Sequence, residues 1–308
     1  PEICPGGWEN DYTRKLIVTS LRKKALQRVL AVGTLAFASL MRRLPFACAR
    51  RIGRLAGYLA YYVVPRIRRV GLANVALALG PDTARSDGRR LVRAAAGNVG
   101  TVAAEFAFTD CLRDRRFRER HVDFEGIERL PEGGCVVIGA HLGNWEWMAP
   151  AIAQHGVVLA EVVRPLDDPL LNAFVDRTRR SGGIDTIPKA NAGREILRRL
   201  RDGQKIGIMV DQSPRESAMP VSFFGQPCWA TAAPAMAALL ANVPIHPVSM
   251  VRTQGGSYRV TIGPALPLVR SGNKRDDLLA FTQLCQQAAE DLIRAHPGQW
   301  LWFHRRWK

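Results

Sequence analysis

Acidic residues are missing from a long stretch near the start of the sequence. Between Tyr12 and Pro81 there is no Asp and no Glu, while the same stretch holds fourteen Lys and Arg. Lysine is scarce too: the chain has 7, against 37 Arg. No run of eighteen uncharged apolar residues occurs, which excludes an obvious polytopic membrane protein. The six cysteines form no C-x-x-C pair and the six histidines no H-E-x-x-H pattern, so no zinc site is expected. Structural thiols in a reducing compartment are the default. What is present is a large positive excess. Lys+Arg 44 against Asp+Glu 27 leaves a formal charge of +17. Carried on Arg, whose planar fork grips phosphate and carboxylate, this excess implies an anionic partner: nucleic acid, an acidic membrane surface or an acidic protein. Hydrophobic residues at 47% allow a packed core and exclude a disordered polyelectrolyte. A length of 308 residues fits one large α/β domain or two modest ones.

The acid-free stretch alternates basic clusters with apolar runs. Val29–Met41 is thirteen uncharged residues and Leu55–Pro65 eleven. At 1.5 Å per residue the first reaches about 20 Å, short of a ~30 Å hydrocarbon core. It could cross if extended back to Ala25, with Lys23, Lys24 and Arg28 reaching the headgroups. Alternatively the region lies in the interface as basic amphipathic helices. Either way it reads as membrane-associating rather than as a solvated helical layer, because acids are absent beside an anionic leaflet. An uncleaved anchor fits better than a signal peptide, since the apolar run leads into Arg42 and Arg43 without a small-residue cleavage site. The expected division is a leader over 1–24, a membrane-associating helical region over 25–80 and an α/β domain over 81–308.

Beyond Pro81 short apolar runs alternate with helical stretches. Helices are expected over Ser86–Phe108, Ala192–Arg201, Ala232–Ala241 and Asp276–Ala295. Strands are expected over Cys135–Ile138, Val157–Val163, Lys205–Val210, Ile245–Val251 and Tyr258–Ile262, the last two joined at Gly255-Gly256. Asp114–Arg120 reads as a charged connection. The alternation predicts a mixed, mainly parallel sheet covered by helices on both faces.

The segment from Ile138 to Met148 carries the chemistry. It places His141 just after a strand and Glu146 in the following helix, at the strand end where α/β sheets bind ligands. A carboxylate on one imidazole nitrogen fixes the tautomer, and the other nitrogen can then take a proton from a hydroxyl. The same spacing also arises where a His caps a helix and a first-turn acid meets the dipole. Gly139 and Gly143 bracket the His and permit close approach of a substrate, with Asn144 in the same turn. No G-x-S-x-G elbow occurs, and Cys135 falls inside an apolar strand. A base without a protein nucleophile suggests direct transfer to the acceptor's own hydroxyl.

His141-Leu142-Gly143-Asn144-Trp145-Glu146 resembles the H-x₄-D/E motif of glycerolipid acyltransferases, and more closely the late acyltransferases of lipid A biosynthesis. Val163-Arg164-Pro165 with Asp168-Pro169-Leu170-Leu171, Val210-Asp211-Gln212, Ser222-Phe223-Phe224-Gly225, the small-residue stretch from Thr231 to Ala241, and the ending from Gln299 to Lys308 are similar to further blocks of that family, in order, over about residues 25–308. The resemblance implies a glycerolipid-acyltransferase-like fold, with 81–308 as the acyltransferase domain. It implies an enzyme of lipopolysaccharide biosynthesis at the cytoplasmic face of the inner membrane. Such an enzyme moves a fatty acyl chain from acyl carrier protein to a hydroxyl of a lipid A precursor, with no metal, no other cofactor and no acyl-enzyme. It implies His141 as general base and Glu146 as its orienting partner. Arg164 would hold the lipid's phosphate or shape the site, and Asp211 would bind the acceptor or position Arg164. Gln212, Asn144 and Gly143 would contact substrate. Phe223 and Phe224 read as core, and His304 as packed. Ser213 stands where the family commonly has another acid, which leaves the fine choice of substrate open.

Two alternatives are kept. One is an acyl-CoA-dependent acyltransferase acting on another phosphoglycolipid, such as a phosphatidylinositol mannoside. The other is a non-catalytic basic protein on a membrane or nucleic acid. Nucleic acid is disfavoured, because the basic clusters interleave with aliphatic rather than aromatic residues.

Overall fold

The computed structural model describes residue 25 and residues 27–307, apart from 191, 215–217 and 269. The leader over 1–24, with Lys23 and Lys24, lies outside the described residues.

The acid-free stretch is helical. Helix α1 (27–42) ends in a break at Arg43, Leu44 and Pro45. Pro45, with no N–H to donate, precedes α2 (Phe46–Val63), and Pro65 opens α3 (Pro65–Leu79). Among the described residues no helix is long and apolar enough to cross a membrane. The apolar side chains Val29, Leu30, Val32 and Leu40 of α1 and Leu55, Leu59, Tyr62 and Val63 of α2 face outward and are exposed. The opposite face of α2 is a stripe of Ala49, Gly53, Gly57 and Tyr61 at four-residue spacing. After α4 (Pro81–Ser86), that stripe meets α5 (Gly88–Glu105). A Cβ on Gly53 would overlap the Gly100 carbonyl, and one on Gly57 the Ala96 carbonyl, so only glycine lets the two backbones approach this closely. Tyr61, Val75 and Ala78 share one core with Val136, Ile138 and Ile206. Packing is therefore continuous across residue 80.

A 3₁₀ stretch (Phe106–Arg113), kinked at Phe108, leads to α6 (Arg115–His121). Asp114–Arg120 was expected as a connection. It folds because Asp114 accepts from Phe117 N at 3.0 Å as an N-cap and Arg115 pairs with Glu119 one turn on. Then come β1 (Val122–Glu125), β2 (Cys135–Gly139), α7 (Trp145–Ala153), β3 (Leu159–Val163), α8 (Pro169–Ser181), β4 (Asp185–Pro188), α9 (Ala192–Arg201) and β5 (Lys205–Met209). The hairpin β6 (Ala218–Phe223) and β7 (Gln226–Thr231) follows, with α10 (Ala233–Ala241), β8 (Ile245–Arg252), β9 (Tyr258–Ile262) and α11 (Lys274–Ala295).

Seven strands form one sheet in the order β1-β9-β8-β2-β5-β3-β4. All its neighbours run parallel except the β8–β9 hairpin. This is the mixed, mainly parallel sheet that the alternation of strands and helices indicated. Every residue of β2 is buried, as a central strand covered on both faces requires. β6 and β7 pair antiparallel in a separate ribbon. In the main sheet β2 lies beside β5, with Gly139 opposite Met209. His141 and Asp211 each follow two residues beyond that pair, so two neighbouring strands deliver them to the same edge.

Candidate active site

His141 is held from both its ring and its backbone by Asp211. The ring Nδ1–H donates to Asp211 Oδ1 at 2.8 Å, and the His141 backbone N–H donates to Oδ2 at 3.0 Å. Oδ2 also accepts the Trp300 indole N–H at 2.8 Å. A carboxylate can only accept, so the proton lies on Nδ1 and Nε2 is left as the free base. Nε2 has the Gln212 amide nitrogen 3.5 Å away. The His141 side chain is 21% exposed and Asp211 fully buried, so the pair opens outward through the imidazole alone.

Burial opposes the charge of both groups, and pairing overcomes it in both. For Asp211, burial works against ionisation. The facing His141, its hydrogen bond, His304 and the Trp300 N–H outweigh that and hold the carboxyl well below the usual range. For His141, burial works against the cation, but the Asp211 charge and hydrogen bond, with Glu146 behind them, raise its pKa above the ordinary value.

The expected contact between His141 and Glu146 is corrected. Glu146 sits in the first turn of α7 but turns to α8, where Arg179 donates to it through Nε (3.1 Å) and Nη2 (2.9 Å). A bidentate guanidinium outcompetes a single imidazole N–H for a carboxylate, and Nδ1 is already engaged by Asp211. Glu161 of β3 lies 3.9 Å from the same guanidinium. Burial pushes the Glu161 carboxyl up to about 7, Arg179 opposing and Glu146 adding to the rise. Glu146 therefore acts on His141 through its field.

The contact expected between Arg164 and Asp211 is corrected, as are the substrate contacts expected of Asn144 and Gly143. Arg164 is exposed on the loop after β3 and pairs with Asp167 at 2.9 Å, away from Asp211, which is occupied by His141. Asn144 is buried. It caps α7 by accepting from Trp147 N and donates to Glu105 Oε2 at 2.8 Å, so it holds the turn rather than a substrate. Gly143 has φ +60 and packs on β8, where a Cβ would overlap the Met250 carbonyl. Its close approach is to the protein's own backbone. Phe223 and Phe224 are buried among Trp300, Trp302 and Trp307. The Cys135 thiol is buried in β2 and pushed up to about 12, which removes it as a nucleophile at neutral pH.

Sequence reading missed Arg179, Glu161 and Glu105. Arg179 had a signal: Leu171, Val175 and Arg179 share one stripe of α8 at four-residue spacing, while Arg177 and Arg180 point outward. Glu161 stands alone as a charge in an apolar strand. Glu105 is a fully buried hub that accepts from Arg50 (2.9 Å), Arg252 (3.1 Å), Asn144 and Tyr258. Among the described residues no group of three or more His, Cys, Asp or Glu could hold a metal ion.

A helix-covered, mainly parallel sheet that presents a His–Asp pair at adjacent strand ends defines an α/β protein with a candidate site at that edge. The family described as bacterial lipid A biosynthesis acyltransferase matches residues 19–308, and the chain belongs to it. A lipid A biosynthesis palmitoleoyltransferase of Escherichia coli (strain K12) is 24% identical over 274 residues, 86% of this chain and 87% of that one. A phosphatidylinositol mannoside acyltransferase of Mycobacterium tuberculosis (strain H37Rv) is 27% identical over 179 residues, 56% of this chain. That alignment spans 54%, about half, of the mycobacterial protein's length. Among solved structures, the 1-acyl-sn-glycerophosphate acyltransferase of Thermotoga maritima covers 80% of this chain and 100% of its own, at 16% identity. Its TM-score of 0.38 is too low to define a common fold.

Proposed function

We propose that the protein is an O-acyltransferase that moves a fatty acyl chain from acyl carrier protein to a hydroxyl of a lipid A precursor. The observation that carries the reaction type is the His141–Asp211 pair with Nε2 free at the open edge of the sheet. The acceptor hydroxyl gives its proton to Nε2, and its oxygen attacks the thioester carbonyl. The tetrahedral intermediate collapses by breaking the C–S bond, and the leaving thiolate takes the proton back from the imidazolium. No side chain is acylated. Asp211 holds the tautomer and balances the cation, which is the contribution that makes a positioned base worth about 10²–10⁴-fold in rate. Glu146 and Arg179 shape the field beside the base. The substrate class is supported by family membership and by the Escherichia coli relative, which aligns along nearly its whole length.

The exposed apolar residues of α1 and α2, set among Arg28, Arg42, Arg51, Arg54 and Arg66, support a place on the cytoplasmic face of an anionic inner membrane, where each basic residue near the surface contributes about 1 kcal/mol. The mycobacterial relative supports a second reading, in which the acceptor is another phosphoglycolipid such as a phosphatidylinositol mannoside, and acyl-CoA is the donor that goes with this alternative. Purified enzyme given acyl-loaded carrier protein or acyl-CoA, with each acceptor in turn, separates the two. The variant His141→Ala should lose transfer from either donor. A His141→Ala enzyme with near-normal turnover overturns the mechanism.

A further inference from the structure

The end of the chain has no part in the transfer as described, yet residues 299–304 bind both halves of the base pair. The Leu301 N–H donates to His141 O at 3.1 Å and the Gly143 N–H to Gln299 O at 3.2 Å, so the tail runs as a strand against the His141 turn. Leu142 and Trp300 form an antiparallel bridge there. Asn98 Nδ2 ties the two segments by donating to Gly143 O (2.8 Å) and Gln299 O (3.2 Å). On the other side Trp300 donates to the Asp211 carboxylate, and His304 places Nε2 3.0 Å from Asp211 O and Nδ1 2.6 Å from Leu301 O. A carbonyl oxygen only accepts, so both His304 contacts are hydrogen bonds when both ring nitrogens carry protons.

We infer that Trp300 and His304 are positioning residues, which make the carboxyl-terminal segment a clasp that fixes Asp211 against His141. The inference rests on the reading of His141 as the base. β2 and β5 bring the two loops side by side, but beyond Gly139 and Met209 no sheet pairing holds them. The tail supplies that link. The Trp300 indole gives its N–H to Oδ2, a donor that a phenyl ring at the same place would lack. Its ring is wedged against Phe224 (6.1 Å, stacked) and Trp302 (4.6 Å, edge-on), which leaves the N–H one direction. A hydrogen bond to a buried charge is among the stronger ones, so its loss leaves Asp211 free to turn from His141.

Trp302 provides a matched control. It is as fully buried as Trp300 and lies on the same tail, but its indole N–H donates to Pro297 O. The test compares Trp300→Phe with Trp302→Phe in steady-state assays with acyl-loaded carrier protein and a phosphorylated lipid A precursor, together with an NMR titration of the His141 ring. Trp300→Phe should lower kcat about tenfold to a hundredfold with KM within about twofold, and should displace the His141 titration. Trp302→Phe keeps an aromatic ring against Trp300 and leaves the Trp300 N–H on Asp211, so it should lower the melting temperature with a kcat loss well below that of Trp300→Phe. Equal kcat losses in the two variants, or an unmoved His141 titration in Trp300→Phe, overturn the inference. Should Trp300→Phe fail to fold, His304→Ala against His304→Gln decides. Gln keeps a donor for Asp211 O and should recover most of the kcat that Ala loses, and equal losses overturn the claim. The titration needs no substrate. A missing acyltransferase activity would therefore refute the proposed reaction while leaving the clasp to be judged by the NMR readout.

Discussion

Replacing Asp211 with Asn should invert the tautomer of His141, and the hydrogen bonds around the carboxylate fix which way the amide must turn. Oδ2 faces two donors, the His141 backbone N–H at 3.0 Å and the Trp300 indole N–H at 2.8 Å. An amide nitrogen placed there would set N–H against two N–H groups. The amide oxygen therefore takes the Oδ2 position and the NH₂ takes the Oδ1 position, 2.8 Å from His141 Nδ1. There it donates, so Nδ1 must accept, and the ring proton moves to Nε2, the nitrogen that has to receive the substrate proton. The base is blocked by a change of one atom, with volume conserved. A tautomer inversion of this kind costs about 10⁴ in the Ser–His–Asp template, and the whole benefit of a general base is about 10²–10⁴. The expectation is a kcat loss of about 10³-fold with the protein still folded. The charge matters as well. Asp211 raises the His141 pKa, so in the wild type kcat should climb as pH rises through a value above the ordinary His range, where the ring becomes neutral. Without Asp211 any residual base activity should show that limb at lower pH. The measurement is kcat against pH for both proteins, with circular dichroism as a control on folding. An Asn variant within about threefold of wild type would refute the reasoning, because the tautomer would then not matter.

Glu146→Gln should lower the pH of the same kcat limb, since Glu146 is among the charges that raise His141, but it should cost kcat less than Asp211→Asn because Nδ1 keeps its partner. The paired groups should also shape stability. Asp211 is held below its usual value, so its contribution is present above about pH 4 and lost as pH falls through the depressed value. His141 is raised, so its contribution is present below about pH 6.5 and lost as pH rises through the raised value. The melting-temperature gap between wild type and Asp211→Asn should then be widest between about pH 4 and 6.5. Gly57→Ala should destabilise by about 1–3 kcal/mol in a denaturant titration, because the added methyl overlaps the Ala96 carbonyl across the α2–α5 contact. Leu55→Asp with Leu59→Asp should abolish flotation with anionic vesicles while leaving the melting temperature unchanged, since both side chains are exposed at 64% and 63%.

Much of this architecture is legible in the sequence where both faces of an element are buried. β2, β5, β8 and β9 read as apolar runs, and α9, α10 and α11 as periodic or small-residue stretches within a residue or two of their observed ends. The edge strands β1 and β4 did not read as strands. Each is four residues long, and Val122-Asp123-Phe124-Glu125 and Asp185-Thr186-Ile187-Pro188 bury too little to show a pattern. α8 was hidden behind its charges, although Asp168 caps it and Pro169 opens it. The place of His141 at the sheet edge was legible from its position just after a buried strand. Its partner was misassigned because spacing along a chain reports neighbours within one turn. Glu146 is five residues from His141 and looked like the partner, whereas Asp211 is seventy residues away and becomes adjacent only through the parallel pairing of β2 with β5.

The same displacement explains why an acid five residues after His141 is present at all. Arg179 and Glu146 bury most of their side chains within reach of His141, and a lone guanidinium there would oppose the imidazolium that forms when the base takes a proton. Glu146 cancels that charge by binding it in two places. Burial pushes the neighbouring Glu161 carboxyl up to about 7 beside the same guanidinium. A site built this way tolerates a cation on His141 without a second acid on Nδ1. Three part-buried arginines, Arg50, Arg179 and Arg252, are each paired with a carboxylate, whereas the fully buried Arg306 donates to Trp229 O and Gln286 Oε1.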